Sequence, residues 1–228
     1  MNAIRVSAAS TLIILSATAT LRADVTAQDV WADWQSYLSA VGYTVTGEES
    51  TRLGQVTITN LVMEAPSTVD GETTNFVVNM PRLVFTENGD GSVNVQIPER
   101  STLQVEANDG QEAFQAEFLF EHTDMVMNVS GDADDMTHTY SADAITFSPS
   151  DLAINGDPIG SENASGSMTV SDIEGVTRMQ LETLRTYAQT INAGTTGFDM
   201  FFVDPENADT TAKINVALET LAMSAQTT

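Results

Sequence analysis

The chain has 228 residues and is 42% hydrophobic, and its 8 Lys and Arg stand against 32 Asp and Glu, a formal net charge of −24. A surface this acidic repels phosphate backbones and anionic bilayers, which argues against nucleic-acid binding and against membrane docking through a basic patch. There are no cysteines, so disulfides, thiol nucleophiles and thiolate metal sites are excluded.

The acids are spread along the chain and form no single run, the pattern of a solvated surface. Residues 1–23 carry the marks of a secretory signal peptide. Arg5 supplies the positive start, Val6 to Leu15 the short apolar core, and small residues follow. Cleavage after Ala23 leaves Asp24 at the new N-terminus, and cleavage after Ala19 is the competing position. The apolar run is too short to span a bilayer. The expected location is therefore periplasmic or secreted, and residues 24–228 are expected to form one β-rich domain, open to truncation at its C-terminal end.

The spacing predicts a helix over Ala27 to Val41. Thr26 can cap it, Asp29 sits in capping-box position, and Gly42 is a natural stop. Val30, Trp34, Tyr37 and Val41 recur at helical spacing, with Trp31 and Leu38 widening the stripe. A helix so apolar on one side must cover something, here the end or concave face of a sheet. Its polar face lacks Lys and Arg, against a membrane-surface role.

From Tyr43 onward the pattern is strand after strand. Val56 and Ile58 alternate, then Leu61 and Met63 continue out of phase. Phe76, Val78 and Met80 form another face, broken at Pro81, the mark of an edge or a bulge. Leu83 and Phe85 resume it. Asn88-Gly89-Asp90-Gly91 is a hairpin turn, because Asn-Gly and Asp-Gly accept positive φ cheaply. Clean alternation follows at Val93, Val95 and Ile97, at Leu103 and Val105, at Phe114 to Phe120, and at Met125, Met127 and Val129. Short spacing with turns between predicts an antiparallel meander, mainly β, as a curled sheet or a sandwich with the N-terminal helix packed on it. Val176 to Ile191 admits a helix through Met179, Leu184, Tyr187 and Ile191, but its Thr-rich, β-branched content favours strands.

Two stretches near the C-terminal end share a pattern. Tyr140 to Glu174 and Thr190 to Ser224 each read as strand, Asp-Pro turn and strand, with turns at Asp157-Pro158 and Asp204-Pro205. Both return strands slip phase, before Ile173 and before Leu221, which a β-bulge at an equivalent position would produce. The last strand, Ile214 to Ala225, alternates well, yet Lys213 alone guards its edge. Internal pairing, pairing with a second copy and a further strand beyond this chain all remain open.

Val129 to Asp143, the start Ala23-Asp24-Val25-Thr26 with its Trp-bearing helix, and Glu87 to Val93 resemble an uncharacterised exported family of alphaproteobacteria, domain of unknown function twenty-one twenty-five. The resemblance spans essentially the whole mature chain. It brings no catalytic residues to this sequence, and it implies longer relatives.

Chemistry is sparse. His122 and His138 are the only side chains that titrate near neutral pH. No nucleophile elbow, zinc-binding helix, phosphate loop or dinucleotide fingerprint occurs, so no enzyme activity, cofactor or catalytic residue is expected. Asp132, Asp134 and Asp135 could face Ca²⁺, but their spacing lacks the glycine and distal glutamate of an EF-hand loop; a solvated turn is expected and no metal. Phe76-Val77-Val78, Leu83-Val84-Phe85, Phe118-Leu119-Phe120 and Phe201-Phe202-Val203 are apolar on both faces. One account is a curled sheet crossed by a helix; the other is a groove holding an apolar ligand such as a lipid chain. The expectation is an exported, non-catalytic envelope protein, with a carrier of an apolar ligand as the alternative. Protein partners and any ligand-binding residues are left unassigned.

Overall fold

A computed structural model describes residues 24–69, 72–108, 113–203 and 210–227. The proposed signal peptide over residues 1–23, the Asp204-Pro205 turn and the side chain of Phe76 lie outside the described residues. The elements are α1 (Ala27–Ala40), β1 (Thr44–Arg52), β2 (Gln55–Val69), β3 (Glu72–Glu87), β4 (Val93–Gln96), β5 (Arg100–Asn108), β6 (Ala113–Thr123), β7 (Val126–Asp132), β8 (Asp135–Ile154), β9 (Asp157–Pro158), β10 (Ala164–Leu181), β11 (Arg185–Ala193), β12 (Thr196–Val203), β13 (Thr211–Leu218) and β14 (Leu221–Thr227). Among the described residues all the strands belong to one antiparallel sheet of 14 strands. The expected meander is present, as a single curled sheet and not a sandwich.

The helix forms as its sequence dictates. Thr26 and Asp29 close a capping box, satisfying backbone donors at the N-terminus. Ala27 N–H donates to Glu87 Oε1 at 3.0 Å, pinning that end to β3. Burial is greatest at this end. Ala27, Val30 and Trp31 are buried, Trp34 is half-buried, and Tyr37 and Val41 are exposed. The apolar stripe expected around Val30, Trp34, Tyr37 and Val41 is thus rotated toward Trp31, because the N-terminal anchor seats the first turns most deeply. Trp31 and Trp34 both lie against Phe85, at ring-centroid separations of 5.8 and 5.4 Å.

The strand pairings reduce, among the described residues, to nine long courses in chain order: β1, β2, β3, β4–β5, β6–β7, β8, β10, β11–β12 and β13–β14. Every course is interrupted on one transverse line. Pairing lapses at Gly47 and Asn60, at Asn60 and Pro81, between β6 and β7 at Asp124, at Asp143 and Asp172, between β11 and β12, and between β13 and β14. Asn60, Asp124 and Asp172 sit in the left-handed region, at φ 51°, 49° and 51°. Short polar side chains tolerate that conformation better than branched ones. Across most of this crease the pairing register resumes unchanged. Ser171 faces Ala144 and Ile173 faces Ala142, for example, with only the residue between them unpaired.

The crease reverses the side-chain phase. In β8 the inner face carries Met136, His138, Tyr140 and Ala142 on one side of it, and Ile145, Phe147 and Pro149 on the other. In β10 it carries Met179, Thr177, Gly175 and Ile173, then Val170, Met168, Gly166 and Ala164. One skipped residue keeps the apolar set on the same face although the strand bends. The slips expected before Ile173 and Leu221 are therefore real, but no residue is inserted there, so neither is a bulge between β8 and β10 or between β13–β14 and its neighbour. They belong to a line that crosses the whole sheet, and so they do not mark a two-copy repeat. Pro81 falls on the same line, where β3 changes neighbour from β5 to β4.

The turn expected at Asp157-Pro158 lies two residues earlier. Asn155 and Gly156, at φ 54° and 83°, make the reversal, and Asp157-Pro158 pairs with Ala153 and Ile154 as β9. Two successive positive φ values define a type I′ turn, which Asn-Gly favours. Asn88 to Gly91 turns as expected, with Asn88 N–H donating to Ser92 O at 2.7 Å. Val176 to Ile191 is strand on both sides of a turn at 182–184. The C-terminal strands pair with β12 and β11; their outer edge has no partner among the described residues.

Candidate functional site

The inner face of the bent sheet carries two hollows, separated by a ridge at the crease where Ala142, Ile173 and Ala193 are buried beneath Met125, Ile145, Val170 and Leu221.

The larger hollow is a groove of about 970 Å³ on the half of the sheet away from α1. Its floor holds the cross-strand row Phe147, Met168 and Phe198, which Phe120 on one side and Val216 on the other continue beyond the groove. Phe120 and Phe147 are 5.2 Å apart between centroids. Phe114, Ile154, Phe202, Ile214 and Val216 remain exposed around it. This many large apolar side chains on one open face exceeds the scatter of single exposed residues that a protein surface carries. Polar groups at its margin are Asn155, Asp157, Asn163, Ser165 and Ser167, and among the described residues no Lys or Arg lines it.

The second hollow, about 360 Å³, lies between α1 and the inner face. Its walls include Trp31, Trp34, Leu61, Met80, Leu83, Met127 and Tyr140. Gly175, facing Tyr140 across the ladder, is required here, because a Cβ at that position would run into the Tyr140 ring. One corner is polar. Asp33, on α1, is 2% exposed, and His138, on β8, is 7% exposed. Tyr187 donates its hydroxyl proton to Asp33 Oδ1 at 2.9 Å, and Arg185 Nη1 stands 3.2 Å from the same oxygen. His138 Nε2 lies 3.4 Å from Asp33 Oδ2, within ion-pair distance, yet it makes no hydrogen bond.

Electrostatics here favour an internal latch. Burial pushes the Tyr187 phenol well above its ordinary value, and the negative charge of Asp33 and the hydrogen bond to it push the same way, against a smaller opposing effect of Arg185. The phenol therefore holds its proton at neutral pH and acts as a donor to Asp33. The carboxylate holds a phenol and a guanidinium, both on β11, and so ties the helix to that strand.

The two histidines occupy different environments. His122, near the crease, sets Nε2 3.1 Å from Ile97 O. His138 faces the cavity. Among the acids considered for Ca²⁺, Asp132 Oδ1 accepts from the backbone N–H groups of Asp134 and Asp135. Asp135 grips Arg178, with separations of 3.0 and 2.7 Å, and that contact raises the Arg178 pKa. These side chains close a hairpin between β7 and β8, the solvated turn expected. Asp33 and Arg185 were not singled out from the sequence. A signal existed: Asp33 falls three residues after Val30 and four before Tyr37, on the apolar stripe, where a carboxylate demands a partner.

No family model, curated protein or solved structure matches the chain. Among the described residues, no helix is long and apolar enough to cross a membrane.

Proposed function

We propose that the protein is an exported, non-catalytic carrier of an apolar ligand, which lies as an acyl chain along the open half of the inner face. The observation that carries this reading is the phase reversal at the crease. It keeps Phe120, Phe147, Met168, Phe198 and Val216 on one face across successive courses, where a polar solvent-facing surface would be the ordinary outcome. The volume of about 970 Å³ suits a lipid-sized ligand. The lack of Lys and Arg among the described lining residues and the net charge of −24 favour a neutral lipid over one with an anionic headgroup. Export rests on the signal-peptide pattern of residues 1–23, and a place in the cell envelope follows from it. Membership of the exported alphaproteobacterial family is proposed on the stretches quoted above.

Native mass spectrometry of protein purified from the envelope tests the reading. The expected result is a mature chain starting at Asp24 with a neutral lipid bound. Met168→Glu, which sets a charge in the middle of the floor, should abolish the adduct. Protein that arrives free of lipid and takes up no monoolein from mixed micelles would overturn the carrier reading. Recovery from the cytoplasm with Met1 intact would overturn export.

A further inference from the structure

The cavity beneath α1 is set apart from the groove by the crease, and no feature of the carrier reading uses it. Its shape and chemistry are those of a site. The walls are aromatic and thioether side chains, and its polar corner holds a side chain that is 9% exposed and lacks a hydrogen bond at Nε2. Buried polar atoms are nearly always satisfied, and one left unsatisfied calls for a reason. We propose that this cavity binds a neutral apolar molecule carrying one hydroxyl, which bridges His138 Nε2 and Asp33 Oδ2 from the cavity side.

The chemical class follows from the corner. A carboxylate or phosphate would face the buried Asp33 at close range, and like charges in a poorly solvated site repel strongly. A cation would compete with Arg185, whose Nη1 is 3.2 Å from Asp33. A hydroxyl suits this corner because it both donates and accepts. It can accept from His138 Nε2–H, or donate to that nitrogen in the other tautomer. In the first case its own proton goes to Asp33 Oδ2, which has no hydrogen-bond donor among the described residues. The apolar body would rest against Trp34, Met80 and Met127. The volume of about 360 Å³ admits a molecule of a few fused rings.

The probe is 1-naphthol, with naphthalene as the analogue lacking the hydroxyl, each titrated by calorimetry. Emission of Trp31 and Trp34 gives a second readout, since both line the cavity and they are the only 2 tryptophans. The expected result is one site per chain and a preference for naphthol of roughly tenfold, the scale of one buried hydrogen bond. His138→Phe should erase the preference and spare naphthalene. His138→Gln, which restores a donor and an acceptor, should retain much of it. Ala225→Phe fills the hollow from the exposed edge strand, where folding is not at stake, and should weaken both ligands at least tenfold.

Equal affinity for the two probes would overturn the proposal, leaving the corner to a bridging water. Failure of either probe to saturate would overturn it as well. Binding indifferent to Ala225→Phe would place the ligand elsewhere, with the same consequence. These outcomes are independent of the groove, because Ala225 and His138 lie on the other half of the sheet.

Discussion

Tyr187 and Asp33 are separated by 154 residues in the chain and meet at 2.9 Å, so the N-terminal helix and a late strand share one part-buried hydrogen bond. Asp33 is the hub of that contact, facing Tyr187, Arg185 and His138. Removing a buried charge leaves its partners uncompensated. Asp33→Ala is expected to cost about 3–5 kcal/mol, read as a lower urea midpoint. A loss within the range of an ordinary surface substitution would show that the helix is held by its apolar contacts alone.

The same contact predicts alkaline behaviour. The folded state raises the Tyr187 pKa, and the unfolded phenol titrates near about 10. Below that pH both states keep the proton, and Tyr187 adds no slope. Above it the unfolded chain releases the proton while the folded chain retains it, so stability falls as pH rises from there. Urea melts between pH 8 and pH 11 should show this decline, and Tyr187→Phe should flatten it. A variant with the parent's slope would assign the effect to other groups.

Burial separates the two tryptophans. Trp31 is 2% exposed and its indole N–H donates to Glu49 Oε2 at 3.1 Å, whereas Trp34 is half-buried. Trp31→Ala is expected to cost about 3–5 kcal/mol and Trp34→Ala about 1–2 kcal/mol. The remaining tryptophan in each variant should emit further to the red as the chain unfolds. Equal costs would contradict the seating of α1 on its first turns.

The hairpin between β1 and β2 turns at Leu53-Gly54, at φ 39° and 74°. Leu53 is fully exposed and so gains nothing from its apolar side chain there. Asn suits a left-handed position before glycine. Leu53→Asn should raise stability by about 0.5–1 kcal/mol, visible as a higher thermal midpoint. No gain would mean that the turn relaxes around leucine.

Local rules made much of this architecture legible. Thr26 and Asp29 announced the capping box, and Asn88 to Gly91 announced a turn, because both are short-range devices written in adjacent residues. Alternation announced the meander for the same reason. The crease was visible only in fragments: the slip from Ile58 to Leu61, the proline at 81, and the slips before Ile173 and Leu221. One chain read alone shows each irregularity, but their alignment is a property of the register between strands. The Asp157-Pro158 turn was misplaced because Asn155-Gly156, two residues earlier, is the stronger positive-φ pair. The polar corner stayed hidden because Asp33, His138 and Arg185 are far apart in the chain, and only the folding of β8 and β11 under α1 brings them together.

The crease also decides which changes of chain length this protein tolerates. Deleting Asp124 alone would turn Phe114, Phe118 and Phe120 to the outer face, while their neighbours Phe147 and Pro149 stayed inside. Two residues removed together from one half of a course would keep the phase. Homologous sequences should therefore differ freely in length at the hairpin tips, and between the crease and a tip by even numbers of residues or by one residue taken up in a bulge, as Ser150 is between the pairs Phe118–Pro149 and Glu117–Asp151.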